Sequence, residues 1–309
     1  MLKLKLLSPG SFFSWLNPLH WPLAFGLIVL RLGAIMPLSL AQPFGRSIGL
    51  LAYTLLPSRR RIVLRNLELC FPEWSAQQHA RMVRENFAAT GMGLIEGGMA
   101  WWAPTNRLLR FVNIEGLEHY HAAQQTGRGI LVLGAHFTAM ELAGRIATLL
   151  FPVSTVYKAA KNQQFNAVML RQRGKHYQKI IANDNLRGLL DVLKSGGVCW
   201  YGADQDFGIE QGVFAPFFNV PTATLTLASK IAQRTGAKVL FSYPERLPHA
   251  RGYILHILPV DHFPSGDLLQ DATLYNSMIE EVVRQSPADY FWLHRRFKTR
   301  PLGEASPYI

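Results

Sequence analysis

The sequence predicts an α/β fold, a mostly parallel sheet flanked by helices, preceded by an apolar helical region at residues 1–66 and built from residues 67–309. Three observations carry this. Gly129 to Gly134, GILVLG, is an unbroken apolar run closed by glycines, the pattern of a strand buried on both faces. Strand-like and helix-like stretches then alternate as far as Tyr243, which argues for parallel strands joined by crossover helices. Finally, no Asp or Glu precedes Glu68, and the same region holds the apolar run Trp21 to Leu40.

Taking the elements in order, the Trp21–Leu40 run has about the length a membrane-spanning helix needs, but Arg31 sits in its middle, where a charge is costly. Ser47 to Pro57 is apolar but too short to span. Lys3, Lys5, Arg31, Arg46, Arg59, Arg60, Arg61 and Arg65 make the region basic, and Trp15 and Trp21 suit a membrane interface. We read it as a membrane anchor that spans once or lies in the interface; the competing reading is a buried helical hairpin. A cleaved signal peptide fits less well, because the apolar stretch starts late and contains Arg31. If one helix spans, Arg59 to Arg61 stay cytoplasmic, and the bulk of the chain faces the cytoplasm.

Ala76 to Ala100 has helical periodicity with Ser75 placed to cap it, and ends at Trp101-Trp102-Ala103-Pro104. Phe111–Ile114 reads as a strand and His119–Gln125 as a helix closed by Gly127. After GILVLG come helix Ala139–Leu150, strand Val153–Tyr157, helix Asn162–Gly174, strand Lys179–Ile181, helix Leu186–Ser195 and strand Gly197–Tyr201. Beyond a loop follow helix Thr222–Thr235, strands Lys238–Tyr243 and Tyr253–Val260, and helix Leu268–Gln285.

Composition narrows the function. The 309 residues are 49% hydrophobic and 17% charged, which excludes disorder. Only Cys70 and Cys199 are present, so a disulfide scaffold is excluded and a reducing compartment fits. The net charge of +12 calls for an anionic partner. The basic, aromatic stretch Tyr290 to Arg300 would suit nucleic acid or lipid headgroups; the apolar start favours membrane, and no nucleic-acid-binding motif accompanies it.

Three motifs carry chemistry. His136 follows GILVLG, and Glu141 stands five positions later. The carboxyl ends of such strands are where ligands bind, and a carboxylate beside an imidazole makes a general base for a hydroxyl nucleophile. The plain alternative is a capping histidine and a solvated glutamate. Asp204-Gln205-Asp206 follows the strand VCWY and is expected on the same sheet edge, positioning substrate or forming an Asx-turn before Gly208 rather than holding a metal. Arg171, Arg173 and Lys175, with Arg187 further on, form either a solvated helix end or a clamp for phosphate.

Taken together, Gly134-Ala135-His136 with Glu141, YGADQDFG at 201–208, GVFAPFF at 212–218 and WLHRRFK at 292–298 give a chain that resembles the late acyltransferases of lipid A biosynthesis, of the lauroyl/myristoyl type, over nearly its whole length. The His-x4-Asp/Glu element alone is shared with the glycerolipid acyltransferases. Gly202-Ala203 stands where many relatives carry a proline before Asp-Gln, and Lys158 where relatives often have Arg; neither removes a reacting group. The resemblance implies a glycerolipid-acyltransferase-like fold needing no cofactor. It implies transfer of a fatty acyl chain from an acyl carrier protein thioester to a hydroxyl of a lipid A precursor of the Kdo-lipid IVA type. His136 would be the base, Glu141 its orienting carboxylate, and Arg171/Arg173 the phosphate contacts. The alternatives are another glycolipid or a lysophospholipid as acceptor, or a non-catalytic lipid-binding protein.

Overall fold

The structure, a computed structural model, describes residues 21–308; Lys3, Lys5 and Trp15, expected to flank the apolar run, lie outside them. The run itself does not form one helix. It divides into α1 (Trp21–Ile35) and the start of α2 (Leu38–Leu55), because Pro37 lacks an N–H and disfavours helical backbone at Met36. Among the described residues no helix is long and apolar enough to cross a membrane. Arg31 lies along Trp102, its guanidinium 5.6 Å from the ring centre.

Next come α3 (Pro57–Cys70) and the 27-residue α4 (Ala76–Trp102). Ser75 caps α4 as expected, in a reciprocal capping box with Gln78. Helix α2 crosses α4 at very short range. Gly91 meets the backbones of Gly45 and Gly49 with no room for a side chain, and this close crossing clamps the amino-terminal helices onto the rest. The expected division at 66/67 falls inside α3, whose fully buried Asn66 donates to the carbonyls of Trp292 (2.7 Å) and His294 (2.8 Å).

The α/β part runs α5 (Thr105–Leu108), β1 (Val112–Glu115), α6 (Leu117–Gln125), β2 (Ile130–Gly134), α7 (Met140–Leu150), β3 (Val153–Tyr157), α8 (Gln163–Arg173), β4 (Lys179–Ala182), α9 (Leu186–Lys194) and β5 (Val198–Gly202). A hairpin of β6 (Gly212–Phe217) and β7 (Val220–Leu225) follows, then α10 (Leu227–Thr235), β8 (Lys238–Leu247), β9 (Gly252–Pro259) and α11 (Leu268–Gln285). The seven-stranded sheet has the order β1-β9-β8-β2-β5-β3-β4 and is parallel except where β9 runs against β8. Every residue of β2 is buried, as its composition demands at the sheet centre.

Two expectations are corrected. The stretch read as a loop and the start of a helix is the β6–β7 hairpin, and Thr222–Leu225 is strand. Phe218 and Asn219 form its two-residue turn with positive φ (51° and 60°), and the Pro216–Pro221 pair across it conceals the strand signal. The basic, aromatic stretch at 290–297 is largely core rather than surface. Trp292 and Phe297 are fully buried, and the Arg296 guanidinium is buried because Ala223 O (2.7 Å) and Thr224 Oγ1 (3.2 Å) accept its protons.

Candidate active site

Strands β2 and β5 are neighbours in register, Gly134 opposite Gly202. Two residues past each glycine the chain leaves the sheet, so His136 and Asp204 face one another at its carboxyl edge. Asp204 Oδ1 lies 2.6 Å from His136 Nδ1, and Oδ2 accepts from the His136 backbone N–H (2.9 Å) and from Tyr290 O–H (3.0 Å). The Tyr275 hydroxyl fastens the two strand ends together, donating to Gly134 O (2.6 Å) and accepting from Ala203 N–H (2.9 Å). The imidazole is thus held with its proton on Nδ1 and its lone pair on Nε2.

Burial disfavours the His136 cation, yet the Asp204 carboxylate outweighs it and raises the imidazole pKa above its ordinary 6.5. Burial would likewise raise Asp204, but the charge and hydrogen bonds of His136 bring it down to about 2. The two opposite shifts have one cause, the attraction between the buried Asp204 carboxylate and the protonated form of the partly exposed His136.

Glu141 does not orient His136. It sits in the first turn of α7, where Trp101 Nε1–H donates to its Oε1 (2.6 Å) and Arg173 holds both oxygens, Nε at 2.9 Å from Oε1 and Nη2 on Oε2. The carboxylate that meets the imidazole is Asp204, 68 positions away in sequence. Glu141 instead fixes the Arg173 guanidinium at the rim of the cavity that His136 lines. That cavity, about 240 Å³, lies between α7 and the sheet; apolar side chains line most of it, and Lys158 joins Arg173 at its polar end.

Of the other residues singled out from sequence, Gln205 lines the small space between Asp204 and Tyr290 that His136 also borders. Asp206 is buried and builds the chain's own architecture, accepting from Gly208 N–H (2.9 Å), Thr299 N–H (2.6 Å) and Thr299 O–H (2.8 Å). Arg171 and Arg187 are exposed and do not line the His136 cavity. Sequence reasoning missed the strap that holds the motif. Phe291 N–H donates to His136 O (2.9 Å), Thr138 N–H donates to Asp289 O (2.7 Å), and Arg246 bridges Glu96, Asp289 and Thr138. Helix α4 closes on the motif from the other side, Gly93 meeting the Thr138 backbone where no Cβ fits.

A histidine lining a mostly apolar cavity in an α/β fold narrows the chemistry, and comparison with known proteins supplies the family. The family model for bacterial lipid A biosynthesis acyltransferase matches residues 12–299. The chain belongs to that family. It is 39% identical over 297 residues to a lipid A biosynthesis palmitoleoyltransferase of Escherichia coli K12, covering 96% of this chain and 97% of that one. It is 37% identical over 295 residues to the lauroyltransferase of the same organism, covering 95% and 96%. The myristoyltransferase is more distant, 26% identical over 302 residues, covering 96% and 92%. Like the other members of the lipid A acyltransferase family, the protein is an acyltransferase.

Proposed function

We propose that the protein transfers a fatty acyl chain from an acyl carrier protein thioester to a hydroxyl of a lipid A precursor of the Kdo-lipid IVA type, with the His136–Asp204 pair as general base. The observation that carries this reading is the His136 imidazole, fixed by Asp204, at the polar end of an otherwise apolar cavity in a chain of this family. Nε2 takes the proton of the acceptor hydroxyl as its oxygen attacks the thioester carbonyl. The tetrahedral oxyanion forms beside the Arg173 guanidinium. It collapses by breaking the C–S bond, and the imidazolium returns its proton to the departing sulfur. Mass spectrometry of a tetra-acylated precursor, incubated with the protein and a panel of acyl carrier protein thioesters, should show the gain of one acyl chain. No gain with any donor, from folded protein, would overturn the reading.

The same reading places the enzyme on the inner membrane, with the α/β part toward the cytoplasm. Trp21, Phe25, Ile28, Leu32 and Ile35 recur on one face of α1 and are all exposed. Leu51 and Leu55 of α2 and neighbouring Leu56 are exposed too, directly before Arg59, Arg60 and Arg61. An apolar face edged by arginines suits an interfacial seat on anionic lipid. The double substitution Phe25→Asp/Leu32→Asp should weaken co-sedimentation with vesicles containing phosphatidylglycerol by about tenfold or more, with the circular dichroism spectrum unchanged. Unchanged partitioning would show that the face is not the membrane contact.

A further inference from the structure

We infer that one face of α7 sets the length of acyl chain the enzyme accepts, a reading that rests on the acyl-transfer function proposed above. The cavity at His136 is a slot rather than an open groove. Its roof is Met140, Ala143, Gly144 and Ala147, spaced i, i+3, i+4, i+7 and so all on one side of α7. Its floor is the face of the sheet that carries Val132, Val153 and Leu240. Three of the four roof residues are Gly or Ala, in a helix that elsewhere buries Leu142 and Ile146. Ala143 and Ala147 leave space that larger residues would fill, whereas Gly144 makes room for the Tyr177 hydroxyl, which a Cβ there would meet.

The two ends differ in chemistry. At one end stand His136, Arg173 and Lys158, where the thioester must lie to react. Toward the carboxyl end of α7 Phe151 lines the slot, stacked on Tyr120 with ring centres 4.0 Å apart and planes at 15°. A single unbranched alkyl chain attached at the reacting carbonyl fits a space that is polar beside His136 and apolar from there to Phe151. The acceptor, with its phosphorylated disaccharide and several chains, does not. Ala143 and Ala147 are one turn apart, about 6 Å along the axis, so each reports a different depth from His136.

The depth can be read without turnover, by calorimetric binding of S-acyl pantetheines of increasing chain length to the intact protein. Each added methylene should tighten the Kd about fourfold until the chain reaches Phe151, after which affinity levels off. Ala147→Leu should bring the plateau to a shorter chain, and Ala143→Leu to a shorter one still. Phe151→Val should extend it. In the transfer assay the two Leu variants should lose about tenfold or more in kcat/KM for the donor that wild type prefers, while retaining shorter donors. Thermal melts identify any variant that fails to fold, and the others still order the series. A plateau that stays at the same length in both Leu variants, or a uniform loss across all lengths, would overturn the inference. A shifting plateau without transfer to any lipid A precursor would instead leave the slot standing and remove the proposed acceptor.

Discussion

Replacing His136 with Ala should reduce acyl transfer by at least about 10²–10⁴-fold, the usual worth of a positioned base. Asp204 occupies Nδ1, leaving Nε2 as the one imidazole nitrogen for the acceptor hydroxyl. No neighbour replaces it well. Glu141 is committed to Arg173 and Trp101, and both Arg173 and Lys158 are cations. His294 borders the adjoining small space, but its Nε2 accepts the Asp206 N–H (3.0 Å), and burial beside Arg296 lowers its pKa to about 4. The fold should survive. Asp204 keeps Tyr290 and the backbone N–H of residue 136, neither of which needs the imidazole. The check is the rate of acyl transfer by mass spectrometry alongside a thermal melt. The KM values of both substrates should change little, because an interaction used chiefly in the transition state acts on kcat. A folded variant within tenfold of the wild-type rate would remove His136 from the mechanism.

The contrast between what was legible in the sequence and what was not follows from how far apart the interacting residues lie. The alternating elements were visible because a buried parallel strand must be continuously apolar and a surface helix must not be; β3 and α11 fall where periodicity puts them. The β6–β7 hairpin was hidden because its turn is Phe-Asn rather than a glycine pair and its strands each contain a proline. His136 was legible as the residue after the central strand. Its partner was not, because β5 lies beside β2 only after β3 and β4 have been added outside it. The Asp204-Gln205-Asp206 loop could be assigned to the correct sheet edge, but choosing between Asp204 and Glu141 needs the register that sets Gly134 against Gly202. Nearness in sequence favoured Glu141, yet the first turn of α7 turns that side chain toward α8 and Arg173. The basic tail misled for a related reason. Charge reads as surface unless acceptors are known, and those of Arg296 come from β7 and α11.

Asp204→Asn should be nearly as damaging as loss of the histidine, about 10²–10⁴-fold, although only one oxygen becomes NH₂. Oδ2 already accepts two protons, from the backbone N–H of His136 and from Tyr290, so the amide oxygen takes that position. The NH₂ group then falls against Nδ1. Two donors cannot face each other, so the imidazole moves its proton to Nε2 and can no longer accept one from the acceptor hydroxyl. The variant should also shift the pH profile in a direction fixed by the charges. In the wild type Asp204 raises the His136 pKa above 6.5, so the acidic limb of kcat/KM lies above that value, and activity rises as the imidazolium loses its proton. Without the carboxylate, burial and the Arg173 charge act unopposed and carry the limb below 6.5. Glu141→Gln makes a different prediction. It frees Arg173 and lowers the rate, but leaves the carboxylate at Nδ1 in place, so the limb stays close to its wild-type position. Measuring the residual activity of both variants from pH 5 to 9 therefore separates the two carboxylates. If the limb moved in Glu141→Gln and held still in Asp204→Asn, the carboxylate acting on the imidazole would be Glu141 after all, and the pairing argued from the β2–β5 register would fall.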